Sequence, residues 1–367
     1  MSRRHQFHLL LGFLVTAGCF VAAFWGFDRQ DYVEIATSFQ RANYWTLPGL
    51  LLLLALFFWL KAVRWALLLR PLRPANPLSV RQTLPALMIG FMGNNLLPAH
   101  LGDFLRVFVL GRRYRVSNAA VLSTVVLERI FDVAAILALL GWGLAASPSA
   151  PPEARRTGML LAVMLVVGLA GIFVYATWTS WFVRTTEGIL GRLSFLPEAL
   201  RRKACDLLEA GALGMAALRS GRLCLGIVAT SAAQWAINVW MIDLALAAFD
   251  IDKSLAVSAV VMGVVAFGVT IPSTPGFFGV IQVAFRASLV PFGVAATNAV
   301  AASVYYHFVT WASVTLVGLF FLQKTGLRLR QLEHVAEEAE EEGEGESGRE
   351  GDGETVSGAR GEMMKAA

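Results

Sequence analysis

Apolar residues run through this chain in long, nearly unbroken stretches, separated by short polar segments rich in arginine. Residues 9–27 form the first stretch, and about 20 apolar residues rising 1.5 Å each suffice to cross a hydrocarbon core of about 30 Å. Residues 45–69, 118–146, 158–178, 223–249 and 295–322 repeat the pattern and predict further membrane-crossing helices. Two more apolar segments are interrupted. The first, GFMGNNLLPAHLGDFLRVFVL over residues 90–110, breaks at Pro98 and carries Gly102 four residues later. The second, FGVTIPSTPGFFGVIQVAF over residues 267–285, breaks at Pro272, with Pro275, Gly276 and Gly279 behind it. Proline removes a backbone donor and clashes with the preceding turn, so each helix must stop or kink there.

Within lipid, freed backbone groups survive only where protein or a wet cavity satisfies them. A pair of interrupted segments in corresponding halves of a chain is therefore a pointer to a transporter's binding site. Arg3 and Arg4 precede the first run and place the N-terminus in the cytoplasm by the positive-inside rule. Lys61 and Arg64 near the end of the second run read as side chains that snorkel to the interface, followed by Arg70, Arg73 and Arg81. Arg112, Arg113 and Arg115 trail the first broken segment, so it enters from the cytoplasm and returns there. The second enters from the outer face, after Asp250 and Asp252, and Lys324, Arg328 and Arg330 bring the C-terminus back inside. The expected fold is all-α: a polytopic integral membrane helical bundle of the cell (inner) membrane, with two re-entrant broken helical hairpins in an inverted repeat. Residues 184–222 carry Ile189, Leu190, Leu193, Leu196 and Leu200 at helical spacing. They read as an amphipathic helix on the cytoplasmic surface or as a soluble hairpin packed on the body.

Composition agrees with this class: 56% of the 367 residues are hydrophobic and 16% charged. The net charge of +5 hides two opposed regions. Residues 333–367 hold twelve acids against three bases, and residues 1–332 hold 28 bases against 14 acids. The basic body suits anionic lipid head groups, and because its bases flank apolar spans it does not read as a nucleic-acid surface. The tail, rich in glutamate and glycine, cannot bury a core. Two regions follow: a membrane domain over 1–325 and an acidic, disordered cytoplasmic tail over 326–367. Three unpaired cysteines (Cys19, Cys205, Cys224) and five scattered histidines give no disulfide framework, metal site or cofactor motif. The first run continues past Cys19, so an uncleaved helix fits better than a lipoprotein or twin-arginine signal.

Candidate chemistry lies where charge does not belong in lipid. Glu128, Arg129 and Asp132 sit in the middle of the run 118–146, and each costs about 2.5–3.5 kcal/mol at a helix centre unless it faces protein or water. Glu128 and Asp132 share a face, and Arg129 is three residues from Asp132, within pairing distance. The pattern fits an ion pair fixing helix register or a polar wall meeting a head group. The first broken segment adds Asn94, Asn95, His100, Asp103 and Arg106. Asp103 can cap the helix after Gly102, the asparagines can cap broken ends or bind head-group hydroxyls, with capping favoured for Asn95, and Arg106 can grip a phosphate through paired guanidinium bonds. The second adds Thr270, Ser273, Thr274, Gln282 and Arg286, with Gly276 and Gly279 permitting close backbone approach. Gln234, Asn238 and Asp243 mark the run 223–249. Tyr306, His307 and Thr310 mark the last run, where a lone histidine reads as a satisfied buried one.

Three ordered motifs carry a resemblance. Asn94, Pro98, Gly102, Asp103 and Arg106 fit N-x-x-x-P-x-x-x-G-(acid)-x-x-R; Val125, Glu128, Arg129 and Asp132 fit V-x-x-E-R-x-x-D. Pro272, Pro275, Gly276, Gly279 and Gln282 fit P-x-x-P-G-x-x-G-x-x-(Glu/Gln). Over about residues 10–325 the chain resembles the transmembrane, flippase-like domain of bacterial lysylphosphatidylglycerol synthases and its stand-alone relatives. The resemblance implies a translocase-like protein handling an anionic phospholipid or a lipid-linked head group, and the candidate substrate-binding residues are Asn94, Asn95, Asp103, Arg106, Glu128, Arg129, Asp132 and Gln282. Gln282 stands where the family often has glutamate, and Asp103 where glutamate is common. No aminoacyltransferase domain follows residue 322, so synthase activity is not implied. The alternatives are a membrane transferase acting on a lipid-linked sugar or phosphate, and a structural partner in an envelope lipid-synthesis complex or homo-oligomer.

Overall fold

A segment that spans lipid must satisfy its own backbone, and every element among the described residues is helical. The computed structural model describes residues 3–73, 75–97, 101–147, 220–270 and 274–325, with short pieces between 152 and 168 and residue 185. The chain divides by contacts into Met1–Phe321 and Leu322–Ala367. Of the expected span 158–178 all but residues 158–160, 163, 164 and 168, of the segment 184–222 all but 185 and 220–222, and the whole tail 326–367 lie outside the described residues, as do Pro98, His100, Pro272 and Ser273.

Helix α1 covers Arg3–Phe24 and α2 covers Arg29–Arg41. The sequence reading missed α2, although its start carries a reciprocal cap: Gln30 N and Asp31 N donate to Asp28 Oδ1, and Asp28 N donates to Asp31 Oδ2. Helix α3 (Thr46–Leu69) follows, and α4 (Val80–Leu96) and α5 (Gly102–Tyr114) flank the first break. Helix α6 is Asn118–Ala146 and α7 is Gly221–Ala247. The second break separates α8 (Leu255–Gly268) from α9 (Val280–Leu289), and α10 (Ala296–Thr325) closes the body. Four helical stretches among the described residues are long and apolar enough to cross a membrane: Thr46–Leu72, Gly221–Ala247, Pro275–Phe292 and Ala296–Thr325. Length and composition thus admit a crossing at Pro275–Phe292, where the sequence led us to expect a re-entrant arm. Helix α6 has length to spare, but its mid-helix charges set it apart.

Packing places α3 at the centre, most extensively against α7 and also against α4 and α6, while α8 packs on α6 and α9. Trp65, Leu50, Leu87, Ile89, Met92 and Leu105 are fully buried there. Phe13, Trp59, Trp240, Phe308, Leu316 and Phe320 point outward, a surface that suits lipid and not water. The two arms of the first break pack with Gly90 against Arg106 and Gly93 against Gly102 and Leu105. Gly102 lets them close: a Cβ there would meet the Gly90 carbonyl oxygen and come within 2.5 Å of Asn94 Oδ1.

Gly102→Ala is therefore expected to cost about 1–3 kcal/mol through overpacking. Gly18→Ala, where a Cβ meets nothing within 4 Å, is expected to leave stability unchanged or slightly higher. Thermal midpoints of the two detergent-solubilised variants check this, and equal midpoints would remove the close approach from the account.

Candidate functional site

Glu128 and Asp132 sit one turn apart on α6, so their carboxylates face the same neighbours. Those neighbours include Lys61 and Arg64, three apart on α3. Lys61 Nζ lies 2.9 Å from Glu128 Oε1 and 3.2 Å from Asp132 Oδ2. Arg64 bridges the same two carboxylates, 3.1 Å to Glu128 Oε1 and 2.7 Å to Asp132 Oδ1. From α5, Arg106 Nη1 donates to Glu128 Oε2 at 2.8 Å, with its guanidinium 5.3 Å from the Trp65 ring. From α7, Gln234 Nε2 and Trp235 Nε1 each donate to Asp132 Oδ1 at 2.8 Å. Arg64 also donates to Ser231 Oγ at 3.0 Å. All five charged residues are buried. Three cations against two carboxylates leave one positive charge in excess.

The network continues outward through Asp103, whose oxygens accept from Arg129 Nη2 at 2.7 and 3.0 Å, with Arg106 Nη2 at 3.1 Å. The Arg129 side chain is 45% exposed and marks the outer end. Several sequence expectations change here. Lys61 and Arg64 do not snorkel: their carboxylate partners lie in the interior, and pairing there outweighs reaching for water. Arg129 pairs with Asp103 and not with Asp132. Asp103 caps no helix end, since the start of α5 has no side-chain cap and its carboxylate is held by Arg129. Asn95 does not cap either: its Nδ2 donates across to Thr315 Oγ1 on α10 at 3.0 Å and to the Trp311 carbonyl at 3.4 Å. The missed partners had a signal. Two carboxylates facing one way in an apolar helix need cations, and a Lys-x-x-Arg pair inside another apolar run supplies them.

Beside this network lies a cavity of about 190 Å³ between the two breaks. Asn95 lines it from α4, Gly276 and Phe277 from the turn before α9, Asn238 from α7, and Trp311 from α10. The turn, a 3-10 helix at Pro275–Phe277, takes positive φ at Gly276 (79°), Phe277 (59°) and Gly279 (83°). Glycine adopts this region freely, whereas Phe277 is held there under strain, as backbone at ligand sites often is. The turn is tied down from behind. His307 Nε2 lies 2.7 Å from the Gly276 carbonyl, and Gln282 Nε2 lies 3.2 Å from His307 Nδ1. Neutral His307 with its proton on Nε2 satisfies both bonds, as expected of a lone buried histidine. Gln282 Oε1 accepts from Gly279 N at 2.8 Å and so caps α9. The candidate set thus splits: Asp103, Arg106, Glu128, Arg129 and Asp132 form the network, Asn95 reaches the cavity, Asn94 packs against Gly102, and Gln282 supports the turn.

A second, apolar hollow of about 840 Å³ lies between α3, α4 and α10, lined by Leu52, Ala55, Leu84 and Leu316 among others. It shares Phe58 and Val314 with the polar cavity. Among the described residues no cluster of three His, Cys, Asp or Glu side chains could hold a metal ion.

Residues 9–318 match the family described as the lysylphosphatidylglycerol synthase TM region. The chain belongs to that family. This lysylphosphatidylglycerol synthase TM-region chain, with four membrane-capable helices among its described residues, is a multi-pass membrane protein. It is also similar to a protein of Haloferax volcanii named glycosyltransferase AglD, 29% identical over 274 residues. The aligned part is 64% of this chain but 41% of that protein. No solved structure gives a significant match.

In this TM-region chain the buried charges stand or fall together. Glu128→Gln leaves Lys61 and Arg64 sharing Asp132 and Arg106 with Asp103 alone, and a broken buried pair costs about 3–5 kcal/mol. We expect a large loss of folded protein, with partial recovery in the double variant Lys61→Met/Glu128→Gln, which also removes a surplus cation. Folded yield and thermal midpoint read the outcome, and failure of the second change to recover anything would show that charge balance is not what Glu128 supplies.

Proposed function

We propose that this chain is a lipid translocase-like protein, in which the two broken segments are re-entrant hairpins of an inverted repeat that meet from opposite leaflets. The observation that carries this reading is the cavity itself. The turn of the second break lines it, as do Phe91 and Asn95 in α4 just before the first break, and it abuts an apolar hollow through Phe58 and Val314. A chamber that carries several polar groups on a largely apolar wall, beside a larger and more apolar hollow, matches an amphiphile: the head group enters the first while the chains stay in the second or in the bilayer. At about 190 Å³ the chamber is below the roughly 300 Å³ of a drug-sized pocket, so it suits a head group alone. Of the two cargoes expected from the sequence, an anionic phospholipid or a lipid-linked head group, the uncharged cavity wall supports the second. In this reading Arg106, Glu128, Asp132 and their partners tune the field and hold the walls, and Arg129 with Asp103 forms the outer contact. The termini lie in the cytoplasm, by the basic flanks of the spans.

A second reading has one specific support, the similarity to a protein named as a glycosyltransferase. This chain would then act on a lipid-linked sugar or phosphate, with a network carboxylate as base. Formation of a glycosylated or dephosphorylated lipid by the purified protein would favour it over translocation.

Two measurements test the translocase reading. In proteoliposomes the chain is expected to move a head-group-labelled lipid between leaflets, and Val314→Trp, at the wall between the two chambers, to slow that movement at least tenfold while the fold survives. Unchanged transfer would remove the cavity from the path. Single cysteines at Leu97 and Thr274 are expected to react with an impermeant thiol reagent from opposite sides of the membrane, and labelling from one shared side would end the inverted arrangement.

A further inference from the structure

We infer that the cavity takes a neutral, hydroxyl-bearing head group of the glycosyl or polyol class, carried on a membrane lipid. The lipid as source rests on the translocase reading; the head-group chemistry rests on the cavity wall. None of the described residues lining it is charged. The nearby charges end at aromatic plates: Lys61 Nζ sits 5.3 Å from the Phe91 ring, and Asp132 is covered by the Trp235 indole that donates to it. A phosphate or carboxylate pushed into this space would lose its water and meet no cation directly, a costly transfer.

What the wall does offer is a mixture of donors and acceptors. Trp311 Nε1 is buried and has no partner. It lies over Gly276, where an added Cβ would meet it at 3.0 Å and the Phe278 ring at 2.8 Å, and Trp311 lines the cavity. Asn238 uses only its Oδ1, which accepts from Tyr306 Oη at 3.4 Å, so its amide hydrogens are free to donate. Asn95 spends its amide hydrogens on α10 and keeps Oδ1 as an acceptor. Thr310 donates to the Tyr306 carbonyl at 2.8 Å and keeps its own lone pairs. An acceptor-only phosphate could use half of these groups. A hydroxyl both donates and accepts and can use all of them. The aromatic walls, Phe58, Phe91, Trp235 and Phe277, supply flat apolar surface for the C–H faces of a ring.

The test uses the full chain in nanodiscs and three probes: a monoglucosyl diacylglycerol, phosphatidic acid with the same chains, and chain-free methyl glucoside. Native mass spectrometry reads the affinities. The glycolipid is expected to bind at least tenfold more tightly than phosphatidic acid. Trp311→Phe, which keeps the ring and removes the donor, and Asn238→Leu should each lower glycolipid affinity about tenfold. Phosphatidic acid binding as tightly as the glycolipid, or both variants leaving glycolipid affinity unchanged, would overturn the inference. Methyl glucoside competing as well as the glycolipid would overturn the assignment to a lipid-borne group. Selective glycolipid binding without transfer between leaflets would sink the translocase reading alone, and transfer of other lipids without selective glycolipid binding would sink this inference alone.

Discussion

Charge neutralisation inside an apolar bundle is the constraint on which the rest of this molecule depends. Glu128 and Asp132 could not remain ionised on α6 without Lys61, Arg64 and Arg106, and those cations could not leave water without the carboxylates. A buried pair of this kind adds little net stability over apolar packing, but breaking it is expensive, so its main effect is to fix register. Helices α3, α5, α6 and α7 all contribute to the one network, and each can satisfy it at a single axial height. The height chosen there sets where the first break falls and hence where Asn95 meets the cavity.

A division of labour follows. The charged residues are committed to one another, while the cavity beside them is uncharged and only partly satisfied. Positioning and recognition are thus carried by different side chains, with Phe91 and Trp235 standing between them. The second break is organised without charge, by glycines at positive φ and by the Gln282–His307–Gly276 chain of hydrogen bonds. One break is held by electrostatics and the other by backbone geometry, although α4 before the first and the turn of the second line the same space.

Much of this was legible from residue pattern because lipid leaves few alternatives to helix. The spans at 45–69, 118–146 and 223–249 and both interruptions emerge as helices and breaks within a few residues of their expected limits. The charged positions on α5 and α6 were visible because charge in an apolar run is costly. Their partners were not, for a physical reason: a lysine four or five turns into a helix can reach either water or a neighbour, and only packing decides. Lys61 and Arg64 were read the first way and lie the second. Helix α2 escaped notice because none of its residues is buried, so no apolar run announced it. The cavity groups Asn238, Trp311 and Thr310 come together only through tertiary packing, and their spacing in sequence carries no sign of it.

The C-terminal part of the N-terminal helix is fastened to the second break and to α9. Thr16 Oγ1 accepts from Thr274 N at 2.9 Å, Phe20 lies against Gly279, and Arg286 donates to the carbonyls of Ala22, Ala23 and Trp25. These three clamps make α1 and α9 a single lever arm. Any shift of α9 is thereby passed to the N-terminal helix, so a bulky fusion at that end would press on the second break and not hang beside it as an idle tether.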